Sequence, residues 1–181
     1  MSQSLVDPQG RFVWYELATT DADSAKTFYA GVMGWDIRDM SIPGMNYTVF
    51  TVREAPVSGL MYLPEEARRR GARPRWLGYV GVDDVDATAD RIKHLGGAVL
   101  VPPNNVLDVS RFAIVADPQT ATFGLITWSE SGQERPTERT APGHVGWHEL
   151  LAADREKALS FYGAAFGWQR AEATKGRRGT Y

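Results

Sequence analysis

One stretch of this 181-residue chain occurs twice without a gap. Residues 14–35, WYELATTDADSAKTFYAGVMGW, return as residues 147–168, WHELLAADREKALSFYGAAFGW, at a constant offset of 133. Trp14/Trp147, Glu16/Glu149, Leu17/Leu150, Asp21/Asp154, Ala25/Ala158, Phe28/Phe161, Tyr29/Tyr162, Gly34/Gly167 and Trp35/Trp168 are identical pairs, a density of matches that chance does not produce. The repeat restricts the fold to one assembled from copies of a unit.

Each copy has a readable local structure. Phe12 to Leu17 is an aromatic, β-prone run that alternates faces with period two. Asp21 or Asp154 suits a helix N-cap, and Ala25, Phe28, Tyr29, Val32 and Met33 follow at spacings of three and four, an amphipathic helix that Gly34 closes. Trp35 to Met40 reads as a strand, Ile42-Pro43-Gly44 as a turn, Tyr47 to Val52 as a third strand and Val57 to Leu63 as a fourth. The unit is βαβββ.

The pattern restarts after the polar, arginine-rich stretch Glu65 to Arg75. Trp76 to Val82 reads as a strand, Asp83-Asp84 as a helix start, and Gly96-Gly97 as its stop. Ala98 to Val101, Arg111 to Ala116 and Thr122 to Trp128 complete a second, diverged βαβββ, with turns at Pro102-Pro103-Asn104 and Asp117-Pro118. The polar segment 129–143 reads as a linker. His144 opens a third unit of strand, helix and the beginning of a second strand, about half of the βαβββ pattern. The expected organisation is a complete domain over 10–128 (modules 12–63 and 76–128), a linker over 129–143, and the truncated start of a second domain over 144–181. Such a start cannot bury its own apolar face, so Tyr162, Phe166 and Trp168 need cover from the first domain, from another chain as in a homodimer, or from residues outside this sequence.

Composition narrows the chemistry. The chain has no cysteine, which removes disulfides, thiolate metal sites and a cysteine nucleophile and makes the cytoplasm the default compartment. Its net charge of −2 argues against general affinity for nucleic acid or anionic membrane. No apolar run approaches the roughly 20 residues needed to span a bilayer. There is no Gly-rich phosphate loop and no G-x-S-x-G elbow.

The aromatic strand, the Asp-initiated helix, the Phe-Tyr pair near its end with Gly-Trp after it, VDDVDATADRIKHLGG and the DPQ turn together resemble the vicinal oxygen chelate superfamily of glyoxalase I, bleomycin resistance proteins and extradiol dioxygenases. GRFVWYELATTD and GHVGWHELLAAD look like a bacterial branch that usually carries two such domains in tandem. The resemblance implies an α+β fold in which paired βαβββ modules form a cup-shaped mixed sheet with helices outside, ligands sitting in the concavity. It does not imply one reaction, since the scaffold serves isomerisation, dioxygenation, epoxide opening and sequestration.

Catalytic members hold Fe, Ni, Mn or Zn with His and Glu from inward strand positions. By the family pattern the first-strand ligand lies seven residues before the helix-start Asp, which is Trp14 in one module and Leu77 in the other. The last-strand carboxylate, seven residues after Asp117, falls on Gly124. None of these side chains ligates a metal, and the fourth strand VSGLMYL offers no His or Glu. His94 reads as a helix C-terminal residue, and His148 takes the face opposite Trp147, toward the helix layer; His144 shares its parity. No cofactor is expected on this reading.

Strand parity puts Trp14 and Glu16 on one face, with Leu77 and Tyr79 likewise, so these residues and Trp76 are the candidate ligand-binding set. Glu16 is the candidate catalytic base, since burial among rings would raise its pKa; its alternative is a structural carboxylate satisfied by neighbours. Arg68, Arg69, Arg70, Arg73 and Arg75 form either a clasp for an anion at the rim or a solvated loop. Thr120 stands where related chains carry Gly after DPQ, a left-handed position costly for a β-branched residue, so the turn before the last strand is expected to be rearranged or strained. The leading expectation is metal-independent binding of a small aromatic or apolar molecule, as in bleomycin resistance proteins. The alternative is a lyase, isomerase or dioxygenase that uses Glu16 or a divalent metal at an unrecognised site.

Overall fold

The computed structural model describes residues 8–42, 45–129, 142–171, 175–176 and 179–180. The first module runs β1 (Phe12–Thr19), α1 (Ala22–Met33), β2 (Asp36–Ile42), β3 (Met45–Val52) and β4 (Ala55–Tyr62). A short helix α2 (Glu65–Arg69) leads to the second module: β5 (Arg75–Gly81), α3 (Val85–His94), β6 (Ala98–Val106), β7 (Ser110–Ala116) and β8 (Thr122–Trp128). After them come α4 (Arg155–Phe166) and a two-residue ladder of β9 (Lys175–Gly176) with β10 (Gly179–Thr180).

The eight long strands make one open sheet in the order β2-β3-β4-β1-β5-β8-β7-β6. In each module the first strand pairs in parallel with the fourth, β1 with β4 and β5 with β8. The modules join where β1 runs antiparallel to β5, Trp14 opposite Tyr79 and Glu16 opposite Leu77. Two strands that begin their modules thus lie side by side at the centre of the sheet.

The helices start and stop as the sequence implies. Asp21, Asp84 and Asp154 cap α1, α3 and α4 by accepting from the backbone N–H of Ser24, Ala87 and Lys157. Gly34 and Gly167 close α1 and α4 in the left-handed conformation. Beneath α1 lies a core of Leu17, Trp35, Phe50, Val57 and Leu60. The core of the second module, around Val80, Ile92, Val115 and Leu125, also takes in Phe161, Ala165 and Phe166 from α4.

The structure departs from the sequence expectations in four places. The stretch expected as an unstructured polar loop contains α2, held by the i,i+4 ion pairs Arg69–Glu65 and Arg70–Glu66. Pro102-Pro103-Asn104 is no turn: β6 runs through it to Val106, with register shifts on either side of Val101. A sheet edge tolerates this because prolines need donate no ladder bond there. Residues 144–151, expected as a strand, form none, and neither do 168–171. A strand exists only where a neighbour takes its backbone hydrogen bonds, and no strand pairs with these segments. Most of the expected linker, 130–141, lies outside the described residues.

The two copies of the repeat meet across a local two-fold. Trp35 Nε1 donates to the Gly143 carbonyl at 2.8 Å, and Trp168 Nε1 donates to the Gly10 carbonyl at 2.5 Å. Each bond joins the tryptophan of one copy to the glycine preceding the other, and the two are related by the offset of 133. Between them Tyr15 Oη and His148 Nε2, again equivalent positions, are hydrogen-bonded at 2.5 Å. Both glycines have positive φ, +70° and +86°, and a Cβ on either would press on the copy it faces, reaching 3.0 Å from the Phe166 carbonyl oxygen and 2.9 Å from Val52 Cγ2.

Candidate functional site

The site is built at the seam between the two modules. Period-two alternation sends Trp14 and Glu16 of β1 to the concave face, and the antiparallel register brings Leu77 and Tyr79 of β5 beside them. Trp14 and Tyr79 pack with Ile114 and Ile126 from the second module, and Trp128 meets Trp14 edge to face at 5.8 Å.

Glu16 is the hub. Its Oε1 accepts from the Tyr79 hydroxyl at 3.0 Å and its Oε2 accepts from the Tyr47 hydroxyl at 3.0 Å. Trp14 Nε1 in turn donates to the Tyr47 oxygen at 3.2 Å. Two glycines make this convergence possible. Gly59 on β4 stands beside Glu16, and Gly124 on β8 stands beside Tyr79. A Cβ on Gly59 would lie 1.9 Å from the Tyr47 hydroxyl, and one on Gly124 would lie 2.1 Å from Tyr79 Cδ1. The phenol tip of one tyrosine and the ring of the other occupy the spaces that side chains on β4 and β8 would fill.

Burial raises the Glu16 pKa above the ordinary carboxylate range, and the two phenol hydrogen bonds oppose it. The Tyr47 and Tyr79 phenols are pushed up, first by burial and then by the Glu16 charge, so both remain O–H donors throughout the physiological range. Chemically the cluster is a carboxylate that holds two phenol donors in an aromatic-walled recess.

Of the residues expected at the site, Trp14, Glu16, Leu77 and Tyr79 are brought together. Trp76 is not. Its side chain takes the helix face of β5, where Nε1 donates to the Tyr29 hydroxyl at 2.7 Å and the ring packs edge-on against Tyr29 and Trp35. Neighbouring residues on a strand point to opposite faces, so Trp76 and Leu77 cannot both line the cup. Tyr47 and Trp128 join the site without having been singled out in the sequence. The alternation of β3, with Thr48 and Phe50 buried on either side of Val49, is the signal that would have put Tyr47 on the concave face.

The equivalents of the site residues in the second copy are unbuilt, Trp147 being 74% exposed and Glu149 exposed. His148 stacks on Phe12 and Tyr15 at 4.2 and 5.5 Å, on the helix side. His94 Nδ1 lies 2.8 Å from the Asp90 carbonyl oxygen, inside α3. Arg68, Arg69 and Arg73 border a shallow hollow with Thr20 and Leu63, away from Glu16.

A divalent metal of the kind that catalytic relatives use does not fit these residues. The expected ligand positions carry Trp14, Leu77 and Gly124, and the Tyr79 ring fills the space a carboxylate at 124 would need. Among the described residues no three His, Asp or Glu side chains gather in one place.

Two βαβββ modules joined through their first strands into one open, eight-stranded sheet, with aromatic rings gathered round one carboxylate at the seam, define a class of proteins by geometry alone. The family model for the glyoxalase/bleomycin resistance protein/dioxygenase superfamily matches residues 11–124. The chain belongs to that superfamily. Among curated proteins it is 35% identical to CFP32 of Mycobacterium tuberculosis, which carries a glyoxylase name, over 88% of this chain and 60% of that protein. It is 32% identical to the anthracycline biosynthesis protein DauV of Streptomyces sp. strain C5, over 94% of this chain and 64% of that one. The chain spans about three fifths of the length of these relatives. Among solved structures, methylmalonyl-CoA epimerase from Streptomyces coelicolor is 19% identical with a TM-score of 0.48, over 68% of this chain and 96% of that one.

Proposed function

We propose that this chain is a metal-independent, cytoplasmic binding protein that takes a small aromatic or apolar molecule onto the concave face, among Trp14, Leu77, Tyr79 and Tyr47 and beside Glu16. One observation carries the reading. The positions that the family resemblance assigns to metal ligands hold an indole, a leucine and a glycine, and the space over that glycine is occupied by a tyrosine ring. Flat rings around one carboxylate suit recognition of a planar molecule by stacking and a single polar contact.

A second reading keeps the same residues and makes Glu16 a general base, which its raised pKa favours. Metal analysis of protein purified without chelator tests the first reading: less than a tenth of an equivalent of Fe, Ni, Mn or Zn is expected, and stoichiometric metal overturns it. A thermal-shift screen of aromatic metabolites against wild type and Trp14→Ala tests the location. A ligand that stabilises the wild type is expected to lose most of its effect in the variant, and equal shifts would remove Trp14 from the site.

A further inference from the structure

We propose that the ligand is a hydroxylated aromatic, a phenol or naphthol-like ring, whose hydroxyl replaces the Tyr47 phenol between Glu16 and Trp14. The inference rests on the reading of the concave face as a binding site and names the chemistry that the site selects.

The two phenols on Glu16 are not equivalent. Tyr79 is 4% exposed, its ring is wedged over Gly124 with Cγ, Cδ1 and Cε1 all within 2.5 Å of where a Cβ would stand, and it packs with Trp14, Ile114 and Ile126. Tyr47 is partly exposed and comes from β3, across β4, to reach β1. Only the tip of its ring enters the space over Gly59, with Oη at 1.9 Å and Cζ at 2.5 Å from the position a Cβ would occupy. Tyr79 is held along the length of its ring, whereas Tyr47 meets the space over Gly59 with its tip alone.

What Tyr47 does in that slot defines what can replace it. Its hydroxyl donates to Glu16 Oε2 and at the same time accepts from Trp14 Nε1. If the tip swings out, a carboxylate oxygen loses a donor and a buried indole N–H loses its acceptor, and buried polar groups left in that state are costly. A hydroxyl on a flat ring repairs both at once. A carbonyl or an ether satisfies Trp14 but donates nothing to Glu16 Oε2, and an apolar ring satisfies neither. The protein therefore carries in Tyr47 an internal copy of its ligand's polar end.

Titration calorimetry and thermal shift at about pH 8 with 2-naphthol, 2-methoxynaphthalene and naphthalene test this on the full chain. Wild type is expected to bind 2-naphthol about tenfold more tightly than its methyl ether. Tyr47→Phe removes the internal competitor and keeps its ring, so 2-naphthol is expected to bind several-fold more tightly in it, while the ether, which serves only Trp14, gains less. Glu16→Gln is expected to collapse the preference between the two. Equal binding of all three compounds in wild type overturns the hydroxyl rule and leaves the aromatic cup standing. Binding of none of them overturns the cup itself and the inference with it. A Tyr47→Phe variant that binds 2-naphthol no better than wild type overturns the replacement of Tyr47.

Discussion

Gly59 and Gly124 show how much a missing side chain can decide. Both sit on last strands of their modules and both leave room for a tyrosine, but the neighbours differ in freedom. Gly124→Ala sets a methyl against the body of a buried, immobile ring. It is expected to cost about 1–3 kcal/mol through overpacking, read as a lower urea midpoint. Gly59→Ala meets only the end of a side chain, so its cost is expected to come from the two hydrogen bonds Tyr47 makes with Glu16 and Trp14, about 2 kcal/mol, rather than from overpacking. Gly59→Ala is expected to be nearly free in a Tyr47→Ala background, and an undiminished cost there would contradict the picture of a movable Tyr47. Glu16 adds a pH signature. Because burial raises its pKa, the folded state holds that proton more tightly than the unfolded chain does. Its contribution to stability is complete below the ordinary glutamate value and falls as pH rises through the folded one. Glu16→Gln removes the dependence, so the variant is expected to gain on wild type as pH increases from about 4 to about 8. Parallel stability curves for the two proteins over that range would show that Glu16 titrates normally. Thr120 illustrates what a single residue reveals in advance. It stands at φ +74°, the left-handed position its place after Asp117-Pro118-Gln119 implied. The turn holds regardless, since Asp117 Oδ1 accepts from the backbone N–H of both Gln119 and Ala121 at 2.8 Å.

Two helices with the same pattern have different fates. α1 and α4 share caps, length and the spacing of their apolar residues, yet Phe28 is 58% exposed while its equivalent Phe161 is 5% exposed. α1 covers its own module with Ala22, Ala25 and Tyr29 only. α4 lies on the second module, where Phe161, Ala165 and Phe166 enter the core beside α3. Phe161→Ala is therefore expected to cost about 3–5 kcal/mol, and Phe28→Ala less than about 1 kcal/mol. Chemical denaturation of the two variants checks this, and similar losses would mean that α1 is also covered in solution. The strands teach a related lesson. Eight of them were readable from alternation and turn residues, although β6 proved longer because an edge tolerates its prolines. The direction of Trp76 follows from alternation once Leu77 is placed in the cup, but the meetings of Trp76 with Tyr29 and of Tyr47 with Glu16 were not readable. Both depend on register, and a shift of one residue moves a side chain to the other face of the sheet.

Across the whole molecule the two copies of the repeat hold each other. Besides the reciprocal tryptophan–glycine bonds, the turn before β8 grips the start of α4: Gln119 Nε2 donates to the Asp154 carbonyl at 2.9 Å and its Oε1 accepts from the Asp154 N–H at 2.7 Å. The Tyr162 hydroxyl donates to the buried Asp117 at 3.0 Å, and its phenol pKa is raised, first by its burial and then by that carboxylate. Trp168→Phe keeps an aromatic ring against Tyr162 but loses the donor to Gly10 and part of the indole's packing. It is expected to lower hydrogen-exchange protection of α4 by about tenfold while α3 and β8 keep theirs. Uniform loss across all three would mean that α4 unfolds only with the domain it covers.

The sequence by itself determined the βαβββ unit and its two complete occurrences, the helix caps and the shared face of Trp14 and Glu16, because each follows from local period and backbone preference. Only the tertiary structure decided that α4 covers the second module, that residues 144–151 form no strand, and that two phenols meet on Glu16. These depend on which distant surface lies opposite, and a residue's neighbours across a sheet or a two-fold are set by register and docking, which no local pattern encodes.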